Sequence, residues 1–162
     1  MDELLALILE PLDAERMAEI AGRVRRGRQE ALEGEELDAL RAALQDAPDE
    51  YADGWWLDPA RSRFWLCLCV DWKASDEVEW QVQGMARTLG LPGGFRSVAM
   101  SQPGSQTPDV LREAATWMQG GGFDLLGLET GSDAYMALPI RLDSLERARQ
   151  EAERLGLDAP LS

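Results

Sequence analysis

Seven consecutive apolar residues, Phe64-Trp65-Leu66-Cys67-Leu68-Cys69-Val70, constrain this chain more than any other stretch. A strand turns successive side chains to opposite faces, so a run that is apolar at every position needs cover on both. The run is too short to cross a bilayer, which takes about 20 apolar residues in a helix. It reads instead as a central strand of a sheet, with other elements packed on each side. A chain of 162 residues is long enough to supply that cover within one domain.

The flanking sequence says what the cover is. Upstream, residues 55–57 and the turn Asp58-Pro59-Ala60-Arg61 pair with the run as a hairpin, proline sitting at the second turn position. Downstream, Ser75 is placed to cap a helix whose apolar face is Val78, Val82, Met85, Ala86 and Leu89, ended by Gly90-Leu91-Pro92. Residues 95–100 read as a third strand. Thr107-Pro108-Asp109 then opens a helix that buries Val110, Leu111, Ala114, Trp117 and Met118. Strands at 124–128 and 134–138 flank Glu129-Thr130-Gly131-Ser132-Asp133 as a second hairpin. Asp143 with Glu146 forms a capping box for the last helix.

The N-terminal third is helical. Asp13 is an N-cap for a stripe of Met17, Ile20, Ala21 and Val24, and Leu37, Leu40 and Leu44 line a second helix. The expected fold is α+β with an α/β-like core: a mixed sheet of about five strands, its central strands parallel and joined by crossover helices, with two hairpins. We expect a single domain over residues 1–162, with a helical part at 1–50, sheet and helices at 54–157, and a loose tail at 158–162.

Thirty acidic residues against sixteen basic give a net charge of −14, which repels nucleic acid and anionic membranes and speeds encounter with a basic partner. Met1-Asp2-Glu3 has the wrong charge to begin a signal peptide, so a cytoplasmic protein is expected. The chain has no histidine, which removes the Ser-His-Asp and Cys-His nucleophile systems and zinc sites built on imidazole. Enzyme activity is therefore not the first expectation. Cys67 and Cys69 lie two apart on one face of the strand and read as buried small hydrophobes rather than a redox or metal pair. Arg23, Arg25, Arg26 and Arg28 cluster at a helix end, where cations complement the dipole. No cofactor is expected.

Val70-Asp71-Trp72-Lys73 and Gly131-Ser132-Asp133-Ala134-Tyr135, in this order of strands and helices, resemble an uncharacterised bacterial family defined by a domain of unknown function. The resemblance spans residues 55–157 and implies a compact α+β domain of bacterial origin. It implies no activity.

Parallel strands joined by crossovers would bring their C-terminal ends to one edge, where open α/β sheets place ligands. That edge would collect Asp71, Trp72, Lys73, Ser105, Thr107, Glu129, Ser132 and Asp133. Helix N-termini near Ser75 and Thr107, with Lys73, the only lysine, suit a phosphate or carboxylate. Asp71, Asp76, Glu77, Glu129 and Asp133 suit a divalent cation instead, although their spacing matches no known metal or phosphate loop. Equally, Asp71 and Lys73 read as an ordinary surface pair. The echo of a calcium loop at Asp49, Asp53 and Gly54 fails, since Ala60 stands where the closing glutamate belongs.

Six tryptophans complete the picture. Trp65 and Trp117 fall at core positions. Adjacent Trp55 and Trp56 must point to opposite faces of their strand, and Trp80 lies away from its helix's apolar stripe, so these three are candidate partner anchors. The first functional expectation is an acidic protein-binding module, in its most concrete form an immunity or antitoxin-like inhibitor of a basic partner. The alternative is a small-ligand or divalent-metal-binding domain, or an enzyme, using the carboxylates and Lys73. A homodimer closed over an exposed tryptophan face is the third reading.

Overall fold

The computed structural model describes residues 1–47 and 62–161. Three helices open the chain: α1 (Asp2–Leu9), α2 (Ala14–Glu30) and α3 (Glu36–Leu44). The Asp13 carboxylate accepts the Arg16 N–H at 2.9 Å, the cap expected for α2. Then come β1 (Leu68–Asp71), α4 (Asp76–Leu89), α5 (Thr107–Gln119), β2 (Phe123–Leu128), β3 (Ala134–Arg141) and α6 (Leu145–Arg154). Gly90 adopts a left-handed φ of 70° and ends α4. The hairpin strand at 55–57, its turn, Trp55, Trp56 and the discarded calcium loop lie outside the described residues.

The architecture is α+β, but the mixed sheet of about five strands with parallel central members is not what forms. The described residues build a three-stranded sheet of order β1-β3-β2, antiparallel at both pairings. The tight connection at 129–133 makes β2 and β3 antiparallel neighbours. Strand β3 then fills the place beside β1 that a parallel β2 would have taken. The apolar run at 64–70 contributes strand only from Leu68, and β1 lies at the sheet's edge rather than its centre.

The cover inferred from that run is nonetheless present on both faces. Leu68, Val70, Leu125 and Ala137 point to one face and pack with Val78, Val82 and Met85 of α4 and Val110, Leu111 and Met118 of α5. Cys67, Leu126, Met136, Leu138 and Ile140 point to the other, against α1, Ile20 and Val24 of α2, Leu40 and Leu44 of α3, and Ala148 and Ala152 of α6. Alternation along each strand thus feeds two apolar clusters that share the sheet. Phe64, 1% exposed, belongs to the second. The guanidinium groups of Arg23, Arg16 and Arg63 sit 5.0, 5.2 and 5.8 Å from its ring centroid, tying α2 to the start of the apolar run.

The free edge of β1 is closed by side chains. The Gln81 amide on α4 accepts the Cys69 N–H at 2.9 Å and donates to the Cys69 carbonyl at 2.8 Å, as a neighbouring strand would. Gln45, at the end of α3, donates to the Cys67 carbonyl at 2.7 Å. At the opposite edge, residues after α6 lie along the end of β2: Glu129 N–H donates to the Leu157 carbonyl at 2.8 Å and Ala159 N–H to the Gly127 carbonyl at 3.3 Å. A methyl group on Gly127 would fall 2.3 Å from the Ala159 carbonyl oxygen, so this close approach requires glycine.

Four local expectations are corrected. Residues 95–100 are not a strand but a loop ending in a 3-10 turn, Ala99–Ser101. Side chains of the flanking helices satisfy their backbone: Glu79 accepts the Ser97 N–H, Glu113 accepts the Ala99 N–H, and Gln83 donates to the Phe95 carbonyl. Ser75 makes no side-chain cap on α4, and at α5 the N-cap is Gln106, whose N–H donates to Asp109 at 3.0 Å. Asp143 pairs with Arg141 at 2.9 Å instead of capping α6.

Candidate functional site

Strands β1 and β2 run the same way on either side of antiparallel β3, so their C-terminal ends meet the start of β3 at one end of the sheet. The edge expected from parallel strands therefore exists through a different topology. Trp72 stands at its centre, in the turn that leaves β1. Its N–H donates to the Asp133 carbonyl at 3.0 Å, continuing the β1–β3 ladder one residue beyond the strands. Its carbonyl accepts the hydroxyl of buried Thr107 at 2.6 Å, which brings in the first turn of α5.

Asp71 shapes the turn itself. Its carboxylate accepts the Lys73 N–H at 2.9 Å and its carbonyl accepts the Ala74 N–H at 2.9 Å. The Lys73 ammonium lies 4.5 Å from the Trp72 ring centroid, over a ring that remains 49% exposed. The two carboxylates that begin α4, Asp76 and Glu77, are close by. Burial, then the charges of Asp76 and Asp71, push the Glu77 carboxyl above its ordinary value.

The remaining candidates divide. Glu129 and Ser132 lie in the connecting turn and serve it: Glu129 accepts the Gly131 N–H at 2.8 Å, and Ser132 exchanges hydrogen bonds with Thr130. Gly131 holds a left-handed φ of 66° there. Ser105 does not join the group; it lines a separate cavity of about 360 Å³ with Asp109, Arg112 and Glu113. Among the described residues, no group of three or more His, Cys, Asp or Glu is arranged to hold a metal ion. Trp80, weighed as an exposed anchor, packs on Trp65 at 5.2 Å with rings inclined by 67°, half-buried against the α4–α5 cluster.

The two thiols are free. Burial, then the neighbouring Cys69, pushes the Cys67 thiol well above its ordinary value, and burial also raises Cys69. Both are thus protonated at neutral pH, and a thiolate nucleophile or metal ligand is not preformed. The residues that the sequence reading missed are Gln81, Glu79 and Glu113, which bind backbone rather than each other. Only the polarity of Gln81 amid the apolar stripe of α4 signals them.

Among the described residues, no helix is long and apolar enough to cross a membrane. No curated protein and no solved structure matches the chain. The family resemblance expected for residues 55–157 holds and extends across the N-terminal helices: the model of a domain of unknown function, DUF6630, matches residues 2–162, and the chain belongs to that family.

Proposed function

We propose that this domain is an acidic protein-binding module that engages a basic partner, in its most concrete form as an immunity or antitoxin-like inhibitor that covers a cationic surface. The observation that carries the reading is how the cations are used. Ten arginines among the described residues sit in ion pairs with carboxylates of this same chain, from Arg16 with Glu19 to Arg154 with Glu151. These ten arginines share nine carboxylates, so most of the thirty acidic residues, and with them the net charge of −14, stand outside these ion pairs. Such a field speeds encounter with a cationic protein and opposes anionic ligands. The chain also lacks histidine, and neither thiol is activated.

The test is affinity capture at low and high salt, followed by titration of the recovered protein in purified form. A basic protein bound with strong salt dependence supports the reading, and an empty capture at low salt removes it.

A second reading, a small-ligand or divalent-cation site at the sheet end, is favoured by the meeting of Trp72, Thr107 and Asp133 there. It expects a thermal shift with a cation or a small anionic metabolite that is lost in Asp71→Asn or Lys73→Met. A panel without shifts eliminates it.

A further inference from the structure

We infer that Trp72 is the anchor of this acidic surface, receiving an arginine or lysine side chain from a basic segment of a partner protein, and that Lys73 occupies its ring in the free protein. The inference rests on the protein-binding reading and gives it a location.

Trp72 is the exposed tryptophan among the described residues, 49% accessible. Its backbone is nevertheless held from both sides, by Asp133 on β3 and by the Thr107 hydroxyl on α5. An aromatic ring carried on a fixed backbone loses little freedom on binding, and tryptophan is enriched at the centres of interfaces.

Two observations name the occupant. The ammonium of the adjacent Lys73 already lies 4.5 Å from the ring centroid, so the ring face accommodates a cation in the free protein. Exposed Asp71 precedes the ring's residue, exposed Asp76 and Glu77 open α4 just after it, and exposed Asp133 is its backbone partner on the ladder, while Lys73 is the only lysine in the sequence. An incoming arginine holds an advantage over Lys73, since its planar guanidinium stacks on an aromatic face and is less strongly hydrated. Association then exchanges one cation on the ring for another and releases Lys73.

The probe is a labelled oligoarginine peptide, titrated by fluorescence anisotropy at low salt against the wild type and four variants: Trp72→Ala, Trp72→Phe, Lys73→Ala and Arg26→Ala. Arg26 is exposed on α2, so its replacement makes the same charge change as Lys73→Ala at another element. Loss of a cation–π contact at an accessible ring predicts binding weakened about fivefold in Trp72→Ala. Trp72→Phe should be intermediate, which also guards against misfolding of the alanine variant. Lys73→Ala should bind more tightly than Arg26→Ala. Equal binding by wild type, Trp72→Ala and Trp72→Phe would leave the acidic module standing and overturn the anchor. Lys73→Ala no tighter than Arg26→Ala would overturn the exchange. Absence of salt-sensitive binding by the wild type would overturn the protein-binding reading itself.

Discussion

Replacing Gln81 by leucine tests whether a side-chain amide serves as the missing neighbour of β1. Gln81 is 2% exposed, and its amide makes both hydrogen bonds to Cys69, at 2.9 and 2.8 Å. Leucine nearly matches the volume and keeps the apolar contacts of α4, so packing changes little. What changes is that one N–H and one C=O lose their partners. Each unsatisfied buried group costs about 1–3 kcal/mol, and because Cys69 is only half-buried the sum belongs near the lower end, about 2–3 kcal/mol. For a domain of this size that corresponds to a fall in Tm of about 5–10 °C. Urea unfolding should move to a lower midpoint at unchanged slope, because the surface exposed on unfolding stays the same. Hydrogen exchange at the Cys69 amide should accelerate selectively. A loss below about 0.5 kcal/mol, the ordinary scatter of surface substitutions, with Cys69 still protected, would refute the assignment of Gln81 as an edge closure.

The tail, an acidic helix and a loop give three further tests. Gly127→Ala puts a methyl group against the Ala159 carbonyl and Leu161, so exchange at Glu129 and Ala159 should quicken while β3 stays protected; unchanged protection at both would show that the tail is not held there. The Arg154 side chain, against an opposing effect of burial and with help from the N-terminal ammonium, pulls Glu151 from 4.5 down to about 2. Its stabilisation is complete above pH 4.5 and is lost as pH falls toward 2, so Glu151→Gln should flatten the wild type's acid-unfolding curve in that window; an unaltered curve would contradict the pairing. Glu113→Leu leaves the Ala99 N–H and the Ser97 hydroxyl without their acceptor and should lower stability by about 1–3 kcal/mol; a stability equal to wild type would mean that the 95–101 loop finds other partners.

The helices were legible because burial imprints a period on sequence. Ile20 and Val24, Leu40 and Leu44, Val78, Val82 and Met85, and Val110, Leu111 and Ala114 all lie where their spacing placed them. The β2–β3 hairpin was legible for the complementary reason, two apolar runs around a polar turn. Strand order was not, because a two-helix connection is compatible with β2 lying beside β1 or one place away, and no local pattern says that β3 will fill the gap. Residues 95–100 carry a strand-like composition, yet their backbone partners are carboxylates of α4 and α5 that periodicity assigns only to a solvated face. The sheet-end residues converged as expected because β1 and β2 remain codirectional even when separated. Ser105 fell outside the group, since proximity in a loop does not fix where a hydroxyl lies.

The β1 margin is taken by the amides of Gln45 and Gln81, and the end of the β2 margin by Leu157 and Ala159. Among the described residues, a partner chain therefore finds only part of β2's outer edge for zipping on, the sequence-blind mode by which sheets lengthen and aggregate. Recognition then falls mainly to side chains projecting from the ends and helices. On such a surface, point substitutions can redirect the choice of partner without disturbing the ladder beneath, and related chains can diverge in specificity while keeping one scaffold.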